Sequence, residues 1–414
     1  MRSQAALFGR RTAQAAQFAL LAICLASSAR LGAEDWPRWR GPRFDGISTE
    51  RGWQTQWPAQ GPKVLWRASV GIGYPSVSVS RGKLYTVGNT ADVDTVYCLD
   101  AASGKTVWTH SYPCIAKDPN GHPGPRSTPT VDGPRVYTLS RLGHLFCLDA
   151  ATGKVIWSKD FRKDYGAKPP TWGYAGSPLA EGRMLITEVG GKGSAVVAFD
   201  KLTGREIWRA GDDPPAYSSI VPFDFQGKRL LAVLSAAGLA VREAADGREI
   251  ARYPWKTPYN VNAATPIIFG NNLFISSGYG KGCALLRLGP GGLRPIWQSK
   301  VLRNHVATCI LWKGYLYGFD ESRFKCVEAA TGKEMWSDRR YGKGSVTMAG
   351  GSLIVFGNRG RAAVVAPSPQ GLREISAADV LRGKNSWTPP VLANGRLYCR
   401  VQEKLACLDV SAGR

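Results

Sequence analysis

Residues 97–108 read YCLDAASGKTVW, and the same pattern returns as FCLDAATGKVIW at residues 146–157. Two further close copies are VAFDKLTGREIW (197–208) and KCVEAATGKEMW (325–336), and divergent copies lie at 240–251, 285–297, 364–375 and 406–413. The spacing of roughly 40 to 50 residues is typical of one four-stranded propeller blade per repeat. The repeat therefore predicts a single large all-β domain, although the length of 414 residues by itself suggests more than one domain.

Each repeat unit reads as four short strands. The first strand follows a Ser-Pro or Thr-Pro step such as Thr128-Pro129, the third ends in Asp or Glu, and the fourth ends in Trp. Because Asp can bond the amides of a turn and Gly supplies a positive φ, Asp-x-x-x-Gly-Lys predicts the turn between strands three and four. The recurring tryptophans share one register, so they are interpreted as packing residues between blades. They are Trp66, Trp108, Trp157, Trp208, Trp297 and Trp336.

The two ends of the repeat region complete each other. The last copy supplies three strands and stops before the fourth, whereas PKVLW (62–66) has the pattern of a fourth strand without the preceding three. Joined, the two pieces form one blade and close the ring without an unpaired sheet edge. The prediction is an eight-bladed β-propeller of four-stranded antiparallel blades over residues 62–414, with residues 34–61 as an extension that packs on the propeller.

The repeat resembles the pyrroloquinoline-quinone (PQQ) type of β-propeller repeat, with its LDAxTGKxxW signature and recurring Trp. That family includes quinoprotein alcohol dehydrogenases and the outer-membrane β-barrel assembly lipoprotein, an eight-bladed scaffold. The segments 35–48 (DWPRWRGPRFDGIS) and 170–179 (PTWGYAGSPL) also resemble exported propellers of environmental bacteria. The resemblance covers residues 62–414 and implies a propeller that acts either as a scaffold or as a quinone-dependent enzyme.

Residues 1–33 are typical of an export signal. Arg2, Arg10 and Arg11 precede a short apolar run, FALLAICLA (18–26), and small residues follow it. The run is too short to span a bilayer as a mature helix. We therefore expect a signal peptide, a protein in the periplasm or outside the cell, and no transmembrane segment. The sequence leaves open whether the general or the twin-arginine export route is used.

All cysteines but Cys24 follow the predicted signal, in a compartment where disulfides can form. Four of them occupy equivalent positions on different blades, which are usually too far apart to bond; they are Cys98, Cys147, Cys326 and Cys407. We therefore expect small buried side chains. A disulfide between Cys399 and Cys407, which flank one hairpin, remains an alternative.

The chain is strongly basic, with 54 Lys and Arg against 31 Asp and Glu. Four of the arginines lie in the predicted signal, and many other cations occupy repeat turns, as Lys105 and Lys154 do. No run of five Lys or Arg occurs, which argues against a nucleic-acid-binding arm. The excess favours anionic partners, such as an acidic polysaccharide or lipopolysaccharide, without identifying one.

Localised function is expected where irregular loops gather near the propeller axis. The connections between blades cross one face, and the residues just before the inner strands are expected at the channel mouth. Cations, amides and aromatic rings that converge there suit an anionic or planar polar ligand; the alternative is that they fill the mouth and bond one another. The candidate ligand-binding residues are Arg126, Trp172, Tyr174, Tyr217, Asn262, His305, Lys343 and Trp387.

Signatures of catalysis are missing from the sequence, which has no HExxH, GxSxG or calcium-loop motif. The resemblance to quinoproteins would imply PQQ stacked on Trp beside a Ca²⁺ ion held by Glu, Asn and Asp. The mouth connections are poor in carboxylates, with Asp212 and Asp213 as the only acidic pair, so Ca²⁺ would have too few oxygen ligands. We therefore assign no catalytic residue, cofactor or metal, and PQQ with Ca²⁺ remains the alternative.

Three functions are compatible with these features. The preferred one is an exported, non-catalytic binding or scaffold module, monomeric, that holds a protein or an anionic envelope partner through its loop face and channel mouth. The second is a quinone-dependent dehydrogenase. The third is a binder of acidic polysaccharide or lipopolysaccharide. No nucleic-acid partner is expected.

Overall fold

A computed structural model describes residues 34–118 and 121–412 of the chain. Within these residues, thirty-three β-strands form eight sheets, and the only α-helix, α1, spans Phe161–Tyr165. The predicted eight-bladed all-β propeller is confirmed. The predicted signal peptide, residues 1–33, lies outside the described residues. In the described part of the chain, no helix has the length and apolar character that a membrane crossing requires.

Two short strands precede the blades: β1 (Ile47–Ser48) and β2 (Val64–Ser69). In each blade, the strands then follow chain order from the channel to the rim. Blade 1 consists of β3 (Ser78–Ser80), β4 (Lys83–Thr90), β5 (Val93–Asp100) and β6 (Thr106–Pro113). Blade 2 consists of β7 (Thr130–Asp132), β8 (Arg135–Leu139), β9 (His144–Asp149) and β10 (Val155–Asp160). Blade 3 consists of β11 (Leu179–Glu181), β12 (Met184–Glu188), β13 (Val196–Asp200) and β14 (Glu206–Ala210).

The second half of the ring repeats this arrangement. Blade 4 consists of β15 (Val221–Phe225), β16 (Lys228–Leu234), β17 (Gly238–Glu243) and β18 (Glu249–Pro254). Blade 5 consists of β19 (Ile267–Phe269), β20 (Asn272–Ser277), β21 (Gly282–Gly289) and β22 (Gly292–Ser299). Blade 6 consists of β23 (Ile310–Trp312), β24 (Tyr315–Asp320), β25 (Arg323–Glu328) and β26 (Glu334–Asp338). Blade 7 consists of β27 (Gly344–Ala349), β28 (Ser352–Gly357), β29 (Arg361–Ala366) and β30 (Arg373–Asp379).

Blade 8 joins the two ends of the chain. Its inner strands are β31 (Val391–Ala393), β32 (Arg396–Val401) and β33 (Lys404–Asp409), and β2 pairs antiparallel with β33 as the outer strand. In that pairing Trp66 lies opposite Cys407, which is the register that a fourth repeat strand requires. The closure predicted from PKVLW is therefore confirmed.

The repeat tryptophans dock on the following blade. The indole Nε1 of Trp108 donates to the carbonyl of Ala150 in blade 2 at 3.1 Å, and the hydroxyl of Tyr85 donates to the same oxygen at 3.2 Å. A Cβ at Gly153, where φ is +74°, would lie 2.5 Å from the Trp108 ring, so this turn requires glycine. The equivalent indole–carbonyl pairs are Trp66–Ala101, Trp157–Lys201, Trp208–Ala244, Trp297–Ala329 and Trp336–Ser368.

The hydroxyl groups at the starts of the inner strands connect neighbouring blades around the channel. The amide of Ser76 donates to the hydroxyl of Thr128 at 2.9 Å, and the amide of Thr128 donates to that of Ser177 at 3.1 Å. The amide of Ser177 in turn donates to the hydroxyl of Ser219 at 3.0 Å. Because each bond joins equivalent positions on adjacent blades, these hydroxyls mark a common register from which the channel-facing residues can be read.

The N-terminal segment crosses the channel on the face opposite these strand starts. Trp36 and Val79 exchange two backbone hydrogen bonds of 2.9 and 2.8 Å, and β1 pairs in parallel with β27. The buried guanidinium of Arg40 reaches the carbonyl of Cys309 at 3.2 Å. The segment thus contacts the inner strands of blades on both sides of the axis and converts the channel into a cup that opens on one face.

The described cysteines, all eight of them, are free and buried. In the β32–β33 ladder, Cys399 lies opposite Ala406, whereas Cys407 lies opposite Tyr398. The two thiols belong to different hydrophobic clusters, on the blade 7 side and the blade 1 side of blade 8. The alternative of a Cys399–Cys407 disulfide is therefore wrong, because successive strand positions alternate between the two faces.

Candidate functional site

A cavity of about 280 Å³ opens at the channel mouth. Each blade contributes to the lining the residue that lies two positions before the hydroxyl at the start of its inner strand, or before the residue that occupies the position of that hydroxyl. Trp39 of the N-terminal segment also lines the cavity, and its Nε1 donates to the Thr265 hydroxyl at 2.9 Å. The eight register-equivalent residues are Tyr74, Arg126, Ala175, Tyr217, Ala263, Val306, Lys343 and Trp387.

Six of the eight candidate residues lie at this cavity, namely Arg126, Trp172, Tyr217, His305, Lys343 and Trp387. Tyr174 and Asn262 do not line the cavity, which corrects the prediction that they lie at the channel mouth. Tyr174 is buried and donates its hydroxyl to Val189 O at 2.5 Å. The buried Asn262 amide donates to Ser235 O at 2.8 Å. Because neighbouring side chains of an extended segment point in opposite directions, the adjacent Ala175 and Ala263 face the channel instead.

One wall of the cavity is rich in aromatic rings. The ring of Trp172 lies 5.9 Å from that of Tyr217 and 6.0 Å from that of Tyr259, and Tyr259 lies 5.9 Å from Tyr279. Tyr259 and Tyr279 are 67% and 40% exposed and have φ of +58° and +53°. A left-handed conformation of a bulky residue costs about 1–3 kcal/mol, and the equivalent turns of other blades adopt it at Glu321 and Gln402. The fold thus holds two exposed aromatic rings at the mouth in a strained backbone.

The facing wall combines aromatic rings with polar atoms. Tyr74 and Trp387 stack at 5.1 Å with an interplanar angle of 23°, and His122 meets the edge of Trp387 at 4.8 Å. Trp387 Nε1 and His122 Nδ1 are buried and have no hydrogen-bond partner within the described residues. These two atoms retain hydrogen-bonding capacity for a ligand, because a buried polar atom is normally paired.

Arg126 forms its hydrogen bonds within the segment that connects blades 1 and 2, to which it belongs. Its guanidinium donates to Asp118 at 2.7 Å, to the His122 carbonyl at 2.7 Å and to the Gly124 carbonyl at 2.9 Å. It also lies 5.7 Å from the centre of the Tyr74 ring. Burial lowers the pKa of Arg126, while the nearby Asp118 carboxylate raises it. The charge of Arg126 is therefore compensated, and its main effect is to order the connection between blades 1 and 2.

Lys343 and His305 form a different polar pair. The Lys343 ammonium donates to His305 Nδ1, and burial together with the charge of Lys343 lowers the pKa of His305 to about 4. The carboxylate of Glu321 lies 3.7 Å from Lys343 Nζ, which is longer than a normal hydrogen bond. Burial lowers the pKa of Lys343 and Glu321 raises it. At neutral pH the site therefore contains a neutral imidazole and an ammonium group with further N–H donors at the cavity.

The residues at the mouth do not fit a calcium-dependent quinone site. Ca²⁺ takes about six to eight oxygen ligands, and the described residues contain no group of three or more His, Cys, Asp and Glu that could hold a metal. Asp118 is paired with Arg126, and Glu321 lies beside Lys343. The acidic pair singled out in the sequence is also engaged, since Asp213 binds Arg252 at 2.9 Å and Asp212 accepts from the Gly193 amide at 2.7 Å.

The family model described as outer membrane protein assembly factor BamB matches residues 94–338, which is more than half of the chain. The chain belongs to this family. The PQQ-type propeller resemblance expected from the repeat is thereby confirmed. No curated protein matches the sequence.

Solved structures share the fold at low sequence identity. BamB from Moraxella catarrhalis has a TM-score of 0.60 at 15% identity, and the match covers 84% of this chain and 99% of that chain. The quinohemoprotein alcohol dehydrogenase from Comamonas testosteroni has a TM-score of 0.68 at 13% identity, covering 93% and 82%. A europium-containing methanol dehydrogenase has a TM-score of 0.64 at 13% identity, covering 89% and 90%. Identities this low establish a common fold only.

Several residues of the cavity were not among those predicted from the sequence. Tyr74 precedes the inner strand of blade 1 at the same register as Arg126, so an alignment of the hydroxyl steps would have found it. Tyr279 lies in a turn between second and third strands, and such turns share the mouth face with the connections. The repeat pattern gives no indication of Trp39, because this residue belongs to the N-terminal segment, which enters the channel from the other face.

His305 is expected to contribute a loss of stability as the pH decreases from about 6.5 to about 4, whereas Glu188, whose pKa is raised to about 8 by burial, contributes in the opposite direction. In this window an unfolded chain protonates His305, whereas the folded chain keeps it neutral, so the unfolded state binds more protons. The groups that face the imidazole are Lys343, Glu321 and His122. At pH 5 this contribution amounts to roughly 1–2 kcal/mol.

The variant His305→Asn removes this contribution, so between pH 7 and pH 5 its free energy of unfolding should shift upward relative to that of the wild type by roughly 1–2 kcal/mol. Urea denaturation at the two pH values measures the difference. The other histidines are the same in both proteins, so the comparison isolates His305. An NMR titration in which His305 protonates near pH 6.5 would contradict the expectation.

Proposed function

We propose that this protein is a non-catalytic binding module of the cell envelope that holds its partner at the channel-mouth cavity. The observation that carries the proposal is the construction of the cavity, to which every blade contributes one residue at a common register. Its walls are aromatic, and two tyrosines are presented to solvent in a strained backbone. A concave, largely apolar site with few polar groups is the usual form of a ligand pocket.

The state of the polar groups favours binding over catalysis. A general base needs an accessible lone pair, but His305 Nδ1 accepts from Lys343, and the unpaired Nδ1 of His122 is buried, with its ring against the edge of Trp387. The carboxylate of Asp118 is bound to Arg126, and Glu321 lies beside the ammonium of Lys343. None of these groups is arranged as a nucleophile with an adjacent base. The likeness to alcohol dehydrogenases concerns the fold and adds no catalytic group.

The family description supports a place in the envelope. The matching family model is that of an outer membrane protein assembly factor, and residues 1–33 have the pattern of an export signal. We propose that the protein is exported to the periplasm or beyond and acts there as a scaffold or binding module. No step in this role requires a cofactor.

A photo-crosslinking experiment in the source organism tests the proposal. Tyr259, 67% exposed at the mouth, is replaced by the photoreactive residue p-benzoylphenylalanine. Leu202, 48% exposed in a turn of the opposite face, receives the same residue as the matched control. Benzophenone inserts into nearby C–H bonds of any organic partner, so the partner need not be known beforehand.

We expect a discrete adduct from position 259 that is missing from position 202. The same adducts from both positions would mean that the mouth face is not selective. Absence of any adduct at position 259, with the variant folded and exported, would contradict the proposed function.

A further inference from the structure

The two walls of the cavity differ in chemistry in a way that restricts the ligand. The Trp172, Tyr217 and Tyr259 side presents ring faces and edges without a cation over them, whereas Lys343 lies 5.6 Å from the centre of the Trp387 ring on the other side. A ligand that fits both walls has one apolar face and one polar or negatively charged edge. A purely apolar ligand would leave the ammonium of Lys343 desolvated, which is unfavourable.

Only one of the two cations at the cavity is placed to bind a ligand anion. The donors of Arg126 are used by Asp118 and by two carbonyl groups of its own connection. Lys343 donates to the neutral imidazole of His305 and lies 3.7 Å from the carboxylate of Glu321, so its charge is partly compensated while N–H donors remain for a ligand. One available ammonium matches a singly charged carboxylate better than a phosphate, which carries up to two charges at neutral pH.

The size of the cavity limits the ligand to about one ring. Its volume of about 280 Å³ lies just below the usual range of about 300–1,000 Å³ for small-molecule pockets. Trp39 occupies the inner end, so a longer ligand must continue outwards over the mouth face. A sugar ring combines the required features, because its C–H face packs against aromatic rings while its hydroxyls can bond Trp387 Nε1 and His122 Nδ1.

Exposed lysines surround the mouth along the path of such a ligand. They lie on the connections and turns of the mouth face, and none of them forms an ion pair with a described residue. Their charges are therefore available to those anionic units of a longer ligand that come within the screening length of about 10 Å. They are Lys117, Lys168, Lys192, Lys256 and Lys384.

We propose that the cavity binds one carboxylated sugar ring of an acidic polysaccharide, with the ring against the aromatic wall and the carboxylate on Lys343. This inference rests on the proposed binding function, since it names the ligand class of the same site. The flanking units of the polysaccharide contact the lysines of the mouth face. Sugar stacking and a single ion pair together give specificity that charge alone would not.

Isothermal titration calorimetry of the full exported protein with a four-unit oligogalacturonate tests the inference. The fully methyl-esterified oligomer is the matched ligand control, because it keeps the sugar rings and removes the charges. Polyglutamate provides carboxylates without sugar rings. We expect saturable binding of one oligogalacturonate per chain, and binding of the ester and of polyglutamate at least about tenfold weaker.

Variants then locate the site. Lys343→Met and Trp172→Ala should each weaken oligogalacturonate binding about tenfold or more. The control Lys154→Met removes an exposed cation from a turn of the opposite face and should change the affinity by about twofold at most. Thermal unfolding of each variant establishes whether it is folded. If a variant is not folded, the comparison of the charged and the esterified ligand on the wild-type protein still tests the inference.

Three results would overturn the inference: no binding of oligogalacturonate, equal binding of polyglutamate, or an affinity that Lys343→Met leaves unchanged. If oligogalacturonate fails while the crosslinked adduct at position 259 forms, the ligand class is wrong and the binding function stands. If the adduct is also missing, both fail together.

Discussion

Replacement of Arg400 by methionine is expected to lower the free energy of unfolding by about 3 to 5 kcal/mol. Arg400 lies on β32 and is fully buried at the seam between blade 8 and blade 1. Burial lowers its pKa to about 9, so the guanidinium remains charged at neutral pH. Its acceptors are four carbonyl oxygens and one hydroxyl, from Gly71, Pro75, Val87, Gln402 and Thr86.

The size of the effect follows from what the substitution leaves behind. Methionine fills a similar length but donates no hydrogen bond, so several buried carbonyl groups lose their partner at the point where the ring closes. Equilibrium urea denaturation followed by tryptophan fluorescence measures the change. Arg67→Met, on the exposed side of β2 in the same blade, is the matched control and should change stability by less than about 0.5 kcal/mol. Similar losses from both variants would show that the seam does not depend on Arg400.

Trp108→Ala should cost a similar amount, about 3 to 5 kcal/mol, because it leaves a large cavity between blades 1 and 2. The indole is buried, donates to the Ala150 carbonyl and packs on the turn at Gly153. Its loss removes both the contact area and the hydrogen bond that join the two blades. The neighbouring Val107 lies on the same strand but is 46% exposed.

Val107→Ala is therefore the matched control, with an expected loss below about 1 kcal/mol. Thermal and urea unfolding of the two variants provide the comparison. An equal loss from both substitutions, or a loss below about 1 kcal/mol for Trp108→Ala, would contradict the docking role of the repeat tryptophans. The same experiment at Trp297 would extend the conclusion to blade 5, where the indole donates to Ala329.

The mouth register illustrates where prediction from sequence reached its limit. The principle that residues before the inner strands line the channel identified Arg126, Tyr217, Lys343 and Trp387. It failed at Tyr174 and Asn262, which precede the channel-facing residue by one position. A shift of one residue in an extended segment turned these two side chains from the channel into the blade, whereas His305, which also precedes its register residue by one position, still lines the cavity.

The electrostatics of the cavity depended on residues from other parts of the chain. Lys343 precedes blade 7, while its neighbours His305 and Glu321 belong to the entry and the second turn of blade 6. Their proximity lowers the pKa of His305 and leaves one ammonium group at the mouth. The sequence shows which cations and aromatic rings are present, but it does not show which cation is paired with a carboxylate.

The sequence by itself determined the ring. The period of the repeat, the hydroxyl steps and the recurring tryptophans specified the blades, because they are local patterns that return in most units, and the complementary ends specified the closure. The tertiary structure alone decided the site: which side chains face the channel, which charges are paired, and that Trp39 closes the inner end. These properties arise from contacts between distant segments, and no local pattern records them.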